Sequence, residues 1–575
     1  MTLNYTKAIA DPVLGWIRLT DDEARFVDSC KYIQRLRYVH QLGFTYMVYP
    51  SARYSRFEHS LGALQVVTLM FERLMRQENV REILMDLGKR VGLDTEDELL
   101  LHMRITALLH DLGHLPFSHV FEGVFGQGID PLISNCSGDA HEASLGMVLK
   151  GPFKEHEVIT YFILTNNDEF RKVTKEIMPH IDLRIVKALL HMDIVGKLMK
   201  IMPQYVEVIG QEDREFLKSL GEDALKPLNI LKSLVSGDLD ADRIEYILRD
   251  SYMSGASVGS TISIGDVERI FDNMKIMTND GNYTIAFDEK ARANLEGFVI
   301  ARFNTYKLVY LHHKVVLFNT LARNLMSELL RHYEELNDEI KNYLCLLYRF
   351  SVGLLKDYDV MYIIDDYLIS LLLRNREYLT NKIRGISKYL EPLVTRSTVY
   401  KALWKRDFEF IDLVSRQGIN LELINDVLPY LLSKGEARDK VLQAFYEKLR
   451  EKLREVSIPC LSGFINDDLT SSIIVGYRTF EPETRLHIMH GNKLVDINKL
   501  SPLAASVTEA WKRSPHIFAF IDVTRMRNCI NSYDSTVFDS IKSIVIVSLN
   551  ESLRELGDVV NKYLEGSQVA NTILT

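Results

Sequence analysis

Residues 110–119 read His110-Asp111-Leu112-Gly113-His114-Leu115-Pro116-Phe117-Ser118-His119, and they follow an apolar run in which Leu100, Met103, Ile105, Leu108 and Leu109 recur near helical spacing. Any fold that buries this run must also accommodate four ionisable side chains within ten residues. Burying several polar groups side by side costs free energy unless they bind one another or a cation. An adjacent His-Asp pair offers an imidazole nitrogen and a carboxylate oxygen, a mixed donor set suited to Mg, Mn, Fe or Zn. A lone histidine is ordinarily a satisfied core or surface imidazole; the crowding here favours a metal-binding or catalytic cluster. On a helix His114 lies one turn after His110 on the same face. Pro116 is expected to end that helix, and His119 follows the proline turn.

Two further segments supply donors of the same kind. Arg56-Phe57-Glu58-His59-Ser60-Leu61-Gly62 opens a predicted helix with an apolar stripe at Leu61, Leu64, Val67 and Leu69, and Ser55 stands where a cap is needed. His59 can point inward from that helix end; the plainer alternative is a first-turn residue with no further role. In Asp238-Leu239-Asp240-Ala241-Asp242-Arg243-Ile244-Glu245-Tyr246-Ile247-Leu248-Arg249-Asp250, helical spacing puts Asp242, Tyr246 and Asp250 on one stripe beside Arg243. A solvated charged face is the bland reading. Three aspartates in five residues nevertheless make an awkward helix start unless a cation neutralises them, and the spacing leaves Asp240 and Asp242 both open as the ligand.

A chain of 575 residues is too long for one hydrophobic core, so about two to four domains of roughly 150 to 200 residues are expected. Residues 1 to about 20 read as extended, because Asp11-Pro12 and Gly15 break any helix. From about 22 to 450 the pattern is chiefly helical, with helices expected over 156–165, 181–200, 240–253, 290–333, 339–355, 358–391 and 435–455. One hairpin is expected, Met274 to Met277 and Tyr283 to Phe287 around Asn279-Asp280-Gly281-Asn282. Composition changes near Ser457-Ile458-Pro459. Beyond it, strands are expected at Ser472 to Tyr477, Arg485 to Met489, Ile517 to Val523 and Ser543 to Val547, with helices near 502–513 and 551–564 and a turn at His490-Gly491-Asn492. The expected fold is mainly α: a helical domain over 1–455, its metal core in about 30–320, and a smaller α+β domain over 456–575.

The net charge of −9, from 69 basic and 78 acidic residues, argues against a general nucleic-acid coat. Arg35, Arg37, Arg53 and Arg56 still allow a local basic pocket. The five cysteines are far apart and lack CxxC spacing, which indicates neither a disulfide framework nor a thiolate zinc site and fits a reducing, cytoplasmic compartment. No apolar window approaches the length of a membrane span. No GxxxxGK[ST] loop is present, which disfavours P-loop chemistry.

Taken in order, QRLRYVHQLG (34–43), RFEHSLG (56–62), HDLGHLPFSH (110–119) and DADRIEYILRD (240–250) resemble the HD-domain deoxynucleoside triphosphate triphosphohydrolases over roughly residues 7 to 320. The resemblance implies a helical HD core in which His59, His110, Asp111 and Asp242 hold a divalent metal (Mg, Mn, Fe, Zn or Ni). It implies that His114 and His119 flank the α-phosphate, with a further histidine matched by His156 or its rival His141. Arg56 and Arg243 would contact phosphates, with Asp240 grouped among the substrate contacts; Tyr246 and Asp250 would contact the sugar, and Gln41 and Leu42 the deoxyribose end. Tyr310 and His313 resemble a later segment that closes the nucleotide pocket. Lys7, Asp28, Gln34 and Arg37 resemble a guanine-nucleotide regulatory site, from which Ala10 departs, in relatives that assemble as homo-oligomers, dimers or tetramers.

The resemblance thus implies hydrolysis of a dNTP to deoxynucleoside and triphosphate. Two other readings stand beside it: an HD phosphohydrolase acting on nucleoside monophosphates or cyclic nucleotides, and a nucleotide-sensing or single-stranded nucleic-acid-binding regulator.

Overall fold

The computed structural model describes residues 3–151, 153–255, 262–279, 282–356, 358–456, 469–478, 486–491, 493–524 and 535–557. Among the described residues the chain is mainly α-helical, with three small sheets. It opens as a hairpin of β1 (Tyr5–Asp11) and β2 (Gly15–Thr20), paired antiparallel with Asp11 opposite Gly15. Gly15 takes φ +79, a left-handed conformation that favours glycine, and closes the turn.

Two compact units are interleaved along the sequence: Met1–Thr305 with Leu329–Asn375 and Thr484–Val507, and Tyr306–Glu328 with Arg376–Glu483 and Thr508–Thr575. The continuous division expected at residue 455 differs from this. The reason is strand pairing: β3 (Met274–Asn279), β4 (Asn282–Asp288), β7 (His487–His490) and β8 (Lys493–Asp496) form one sheet in that order, drawing the late strands into the first unit. In the second unit β5 (Tyr400–Ala402), β9 (Ile517–Asp522) and β6 (Ile473–Tyr477) form a three-stranded antiparallel sheet.

The core of the first unit is built on the helix Arg56–Leu74, which packs against Glu96–Leu109 and Ala241–Met253. Both Arg56–Leu74 and Glu96–Leu109 begin with capping boxes, Ser55 with Glu58 and Thr95 with Glu98. A buried ion pair ties the N-terminal hairpin to this core. Arg104 Nε reaches Glu23 Oε1 at 2.6 Å, its Nη2 reaches Glu23 Oε2 at 2.7 Å and the Arg18 carbonyl at 2.7 Å, and Glu23 Oε2 accepts the Thr20 amide at 2.9 Å.

Several sequence expectations need correction. The helix carrying the His-Asp pair ends at Leu109 with His110 as its C-cap, so Pro116 does not end it and His114 is not on its face. The helix expected over 290–333 is broken into Arg292–Thr305, a π turn at Tyr306–Tyr310 and His313–Arg331. That over 358–391 is three helices, Asp365–Arg374, Arg376–Lys382 and Ser387–Thr395, with Gly385 at φ +84 before the last. The strand expected at Ser543 to Val547 lies inside the helix Ser535–Glu555, where Ile544, Val545, Ile546 and Leu549 are buried. This helix packs on Gly435–Glu455; a short apolar run buried all round carries no periodicity that separates strand from helix, and packing overrode the β-branched preference. Cys136 and Cys345 form a disulfide across 209 residues, a pairing that sequence spacing concealed. Asp280-Gly281, Ser457-Ile458-Pro459, Arg485, Asn492 and residues 558–564 lie outside the described residues. No helix among the described residues is long and apolar enough to cross a membrane.

Replacing Arg104 by Met leaves the Glu23 carboxylate buried and uncompensated. This should cost about 3 to 5 kcal/mol of stability, read as a lowered denaturation midpoint in urea.

Candidate metal centre

His59 is in the first turn of Arg56–Leu74 and is fully buried. Ser55 does cap this helix, its amide donating to Glu58 Oε2 at 2.9 Å, and His59 also turns inward; the two readings of this helix start hold together. His110 Nδ1 lies 2.7 Å from the Ala107 carbonyl, leaving Nε2 to face His59. The helix Ala241–Met253 brings Asp242 in its first turn.

The donor atoms converge. His59 Nε2 lies 3.1 Å from Asp242 Oδ1, 3.3 Å from Asp111 Oδ2 and 3.3 Å from His110 Nε2. His110 Nε2 lies 3.3 Å from Asp111 Oδ2 and 3.6 Å from Asp242 Oδ1. Metal–ligand bonds of about 2.0 to 2.2 Å put adjacent donors roughly 3 to 3.5 Å apart, so these residues fit a divalent cation. His59, His110 and Asp242, borne on three separate segments, form a group that could hold such an ion, and Asp111 Oδ2, paired with Arg56, borders it.

Asp111 faces a second cluster. Arg56 Nη1 pairs with its Oδ2, and Arg56 Nε donates to Ser118 Oγ at 2.9 Å. His114 Nε2 lies 3.2 Å from Asp111 Oδ1 and its Nδ1 3.3 Å from Glu122 Oε1, both out of line for hydrogen bonding. The Nδ1 atoms of His119 and His156 each lie 2.9 Å from that same Glu122 oxygen. The His114 and His156 rings stack with centroids 4.1 Å apart.

The turn presenting His119 is strained. Phe117 and Ser118 take φ of 60 and 58, left-handed values that non-glycine residues rarely adopt. Asp365 holds it: Oδ1 accepts the Phe117 amide at 2.7 Å, and Oδ2 accepts the His40 amide at 2.9 Å. Ser118 Oγ donates to the His40 carbonyl at 2.6 Å.

Charges in the two clusters are pushed apart. Burial alone would lower His110, but Asp111 and Asp242 push it up to about 10. Against its own burial, Asp111 is held well below the usual carboxylate range by Arg56 and His110. Burial, with Arg56 and His156 nearby, brings His114 down to about 3, so its ring is neutral at ordinary pH. Burial opposes charge on His156, yet Glu122 raises it above its usual value.

Among the other expected site residues, Asp240 turns away from the cage. It is the N-cap of Ala241–Met253, accepting the Arg243 amide at 2.5 Å, which leaves Asp242 to face the histidines. Burial pushes the Asp240 carboxyl up to about 7. Arg243 lies 3.6 Å from Asp238 and 3.7 Å from Asp240. Tyr246 is half-buried on the same helix, and buried Asp250 accepts the Tyr54 hydroxyl. Gln41 is buried with no hydrogen-bond partner for Oε1, and Leu42 is half-buried. His156 joins the cluster, whereas His141 is exposed. Tyr310 and His313 belong to the second unit. Sequence reasoning missed Glu122, Glu245, Tyr54 and Asp365. Only Glu122, three residues after His119, and Glu245, three after Asp242, carried a local signal.

Residues 56–214 match the family described as HD domain. An uncharacterized protein of Methanocaldococcus jannaschii is 27% identical over 336 residues, 58% of this chain and 52% of its own length. An uncharacterized protein of Bacillus subtilis is 27% identical over 338 residues, 59% and 58% of the two chains. The deoxynucleoside triphosphate triphosphohydrolase SAMHD1 of Homo sapiens is 26% identical over 318 residues, 53% of this chain and 42% of that one. The chain therefore spans about half the length of the curated relatives it matches.

Two outcomes are expected. Replacing His110 and Asp111 together by Ala should abolish binding of Mn²⁺ by calorimetry while circular dichroism retains most helicity. Because metal-free His110 keeps its proton up to about 10 and Glu245, against burial, raises His59 well above its usual value, metal must displace both protons, and apparent affinity should rise by about a hundredfold per pH unit near neutrality. An affinity independent of pH would contradict the cage as described.

Proposed function

Starting from an HD domain at residues 56–214 in a chain whose relatives include a deoxynucleoside triphosphate triphosphohydrolase, we propose that this protein is a metal-dependent phosphohydrolase that converts a dNTP to deoxynucleoside and triphosphate. One observation carries the reading: Asp111 is shared, one oxygen bordering the His59–His110 cage and the other bordering the His114 and Glu122 cluster. Ligand donors and proton-handling groups thus lie on either side of one carboxylate.

When bound, a divalent cation would neutralise phosphate oxygens and make the attacking water more acidic. The water oxygen bonds to the α-phosphorus, the bond from that phosphorus to the 5′ oxygen breaks, and triphosphate carries the water oxygen away. The water gives up a proton, and the departing 5′ oxygen takes one. Neutral His114 would stand beside the α-phosphate. His119, the most exposed of the cluster at 55%, would face the leaving oxygen, and His156, which Glu122 raises above its usual value against burial, would hold the proton behind it. Arg56, whose Nη2 has no hydrogen-bond partner, and Arg243 would meet phosphate oxygens. Tyr246 and Asp250 would meet the sugar, and Gln41 and Leu42 its deoxy end. Homo-oligomerisation and activation by a guanine nucleotide through Lys7, Asp28, Gln34 and Arg37 belong to the same proposal; there Lys7 pairs with Asp28 at 2.8 Å and Arg37 with Gln34 at 2.9 Å.

Incubating the protein with dNTPs, NTPs, nucleoside monophosphates and cyclic nucleotides under Mg²⁺ or Mn²⁺, with chromatographic separation of products, tests the reading. Intact triphosphate from dNTPs is expected. Orthophosphate released stepwise, or turnover of cyclic nucleotides alone, would overturn it. Exchanging Glu122 for Gln should lower kcat by about 10² to 10⁴ with a smaller change in KM.

A further inference from the structure

His59 has a second nitrogen, and what holds it lies outside the cage. Its Nδ1 pairs with Glu245 Oε2, and the other oxygen of Glu245 accepts Arg249 Nε one turn along the same helix. Arg249 Nη2 then lies 2.8 Å from Asp11 Oδ2, an ion-pair contact that is not aligned as a hydrogen bond. Asp11 Oδ1 accepts the amides of Val13 at 2.9 Å and Leu14 at 2.8 Å, which close the turn of the N-terminal hairpin. All four side chains are buried. They form one line of alternating charge from the hairpin turn to a ligand ring.

A second observation points the same way. A Cβ on Gly62 would collide with Glu245 Oε1, so the helix carrying His59 leaves room for this carboxylate by having no side chain there. Buried charges are costly unless paired, and a packed arrangement of this length restricts the ring beyond what a single carboxylate would.

We propose that Asp11 and Arg249 are positioning residues for the metal centre, acting through Glu245 to fix the His59 ring and so coupling the turn of the N-terminal hairpin to cation affinity. This rests on the reading of His59 as a ligand. A carboxylate that accepts a hydrogen bond from Nδ1–H leaves Nε2 as the lone-pair donor and sets the ring plane; loss of such outer partners typically weakens metal affinity about 10- to 100-fold. Arg249 and Asp11 act one and two contacts further back, by keeping Glu245 in place and unable to swing away.

The test is Zn²⁺ competition against a chromophoric chelator on the full chain, comparing wild type with Asp11→Asn, Glu245→Gln and the double variant, each checked for folding by circular dichroism. Each single variant should bind about 10- to 100-fold more weakly, and the double variant no more weakly than the worse single, because the residues lie on one line. Folded single variants with wild-type affinity would overturn the coupling while leaving the metal centre intact. A wild type that binds no stoichiometric Zn²⁺ would overturn the ligand reading itself. Should the variants not fold, nitrogen-15 spectra of the Zn²⁺-loaded wild type decide: the His59 proton is expected on Nδ1, and a proton on Nε2 sinks the proposal.

Discussion

The carboxylate of Asp111 is buried, and its neighbours are Arg56, His59, His110 and His114. A buried anion of this kind persists only when its surroundings supply matching charge and donors. That requirement explains why the starts of two helices and the end of a third meet at one point. Arg56 and His59 come from the first turn of one helix, His110 caps the end of another, and Asp242 opens the third. Removing any of them changes the charge that the others must absorb.

Rigidity around that point is provided from far along the chain. Two consecutive left-handed residues, Phe117 and Ser118, bend the backbone so that His119 returns toward Glu122. Left-handed backbone at non-glycine residues is costly and persists where surrounding contacts enforce it. Here Asp365, 248 residues later, binds the Phe117 amide, while Ser118 joins the His40 carbonyl to Arg56. The segment Leu329–Asn375, although late in sequence, thereby belongs to the unit that builds the site.

The same site divides its work electrically. On one side carboxylates dominate and histidines are held charged in the absence of a cation; on the other, Arg56 and burial keep His114 neutral. Glu122 gathers three imidazoles on one oxygen and lifts His156. Groups of one chemical type with well-separated proton affinities, a few ångströms apart, mark a candidate functional site.

The amino-acid sequence by itself determined the chiefly helical character of residues 22 to 450, the hairpin strands at Met274 to Phe287, and the three segments that carry His59, His110, Asp111 and Asp242. These are local properties: apolar periodicity, capping residues and turn formers act within a few positions. Tertiary structure alone decided that Asp240 caps a helix while Asp242 faces the histidines, that His156 rather than His141 enters the cluster, and that Glu122, Glu245 and Asp365 serve it. It also decided the helix at Ser535–Glu555, the Cys136–Cys345 disulfide and the interleaving of the units. Each of these depends on which groups meet across tens or hundreds of residues, where burial and charge pairing outweigh any preference that neighbouring residues express.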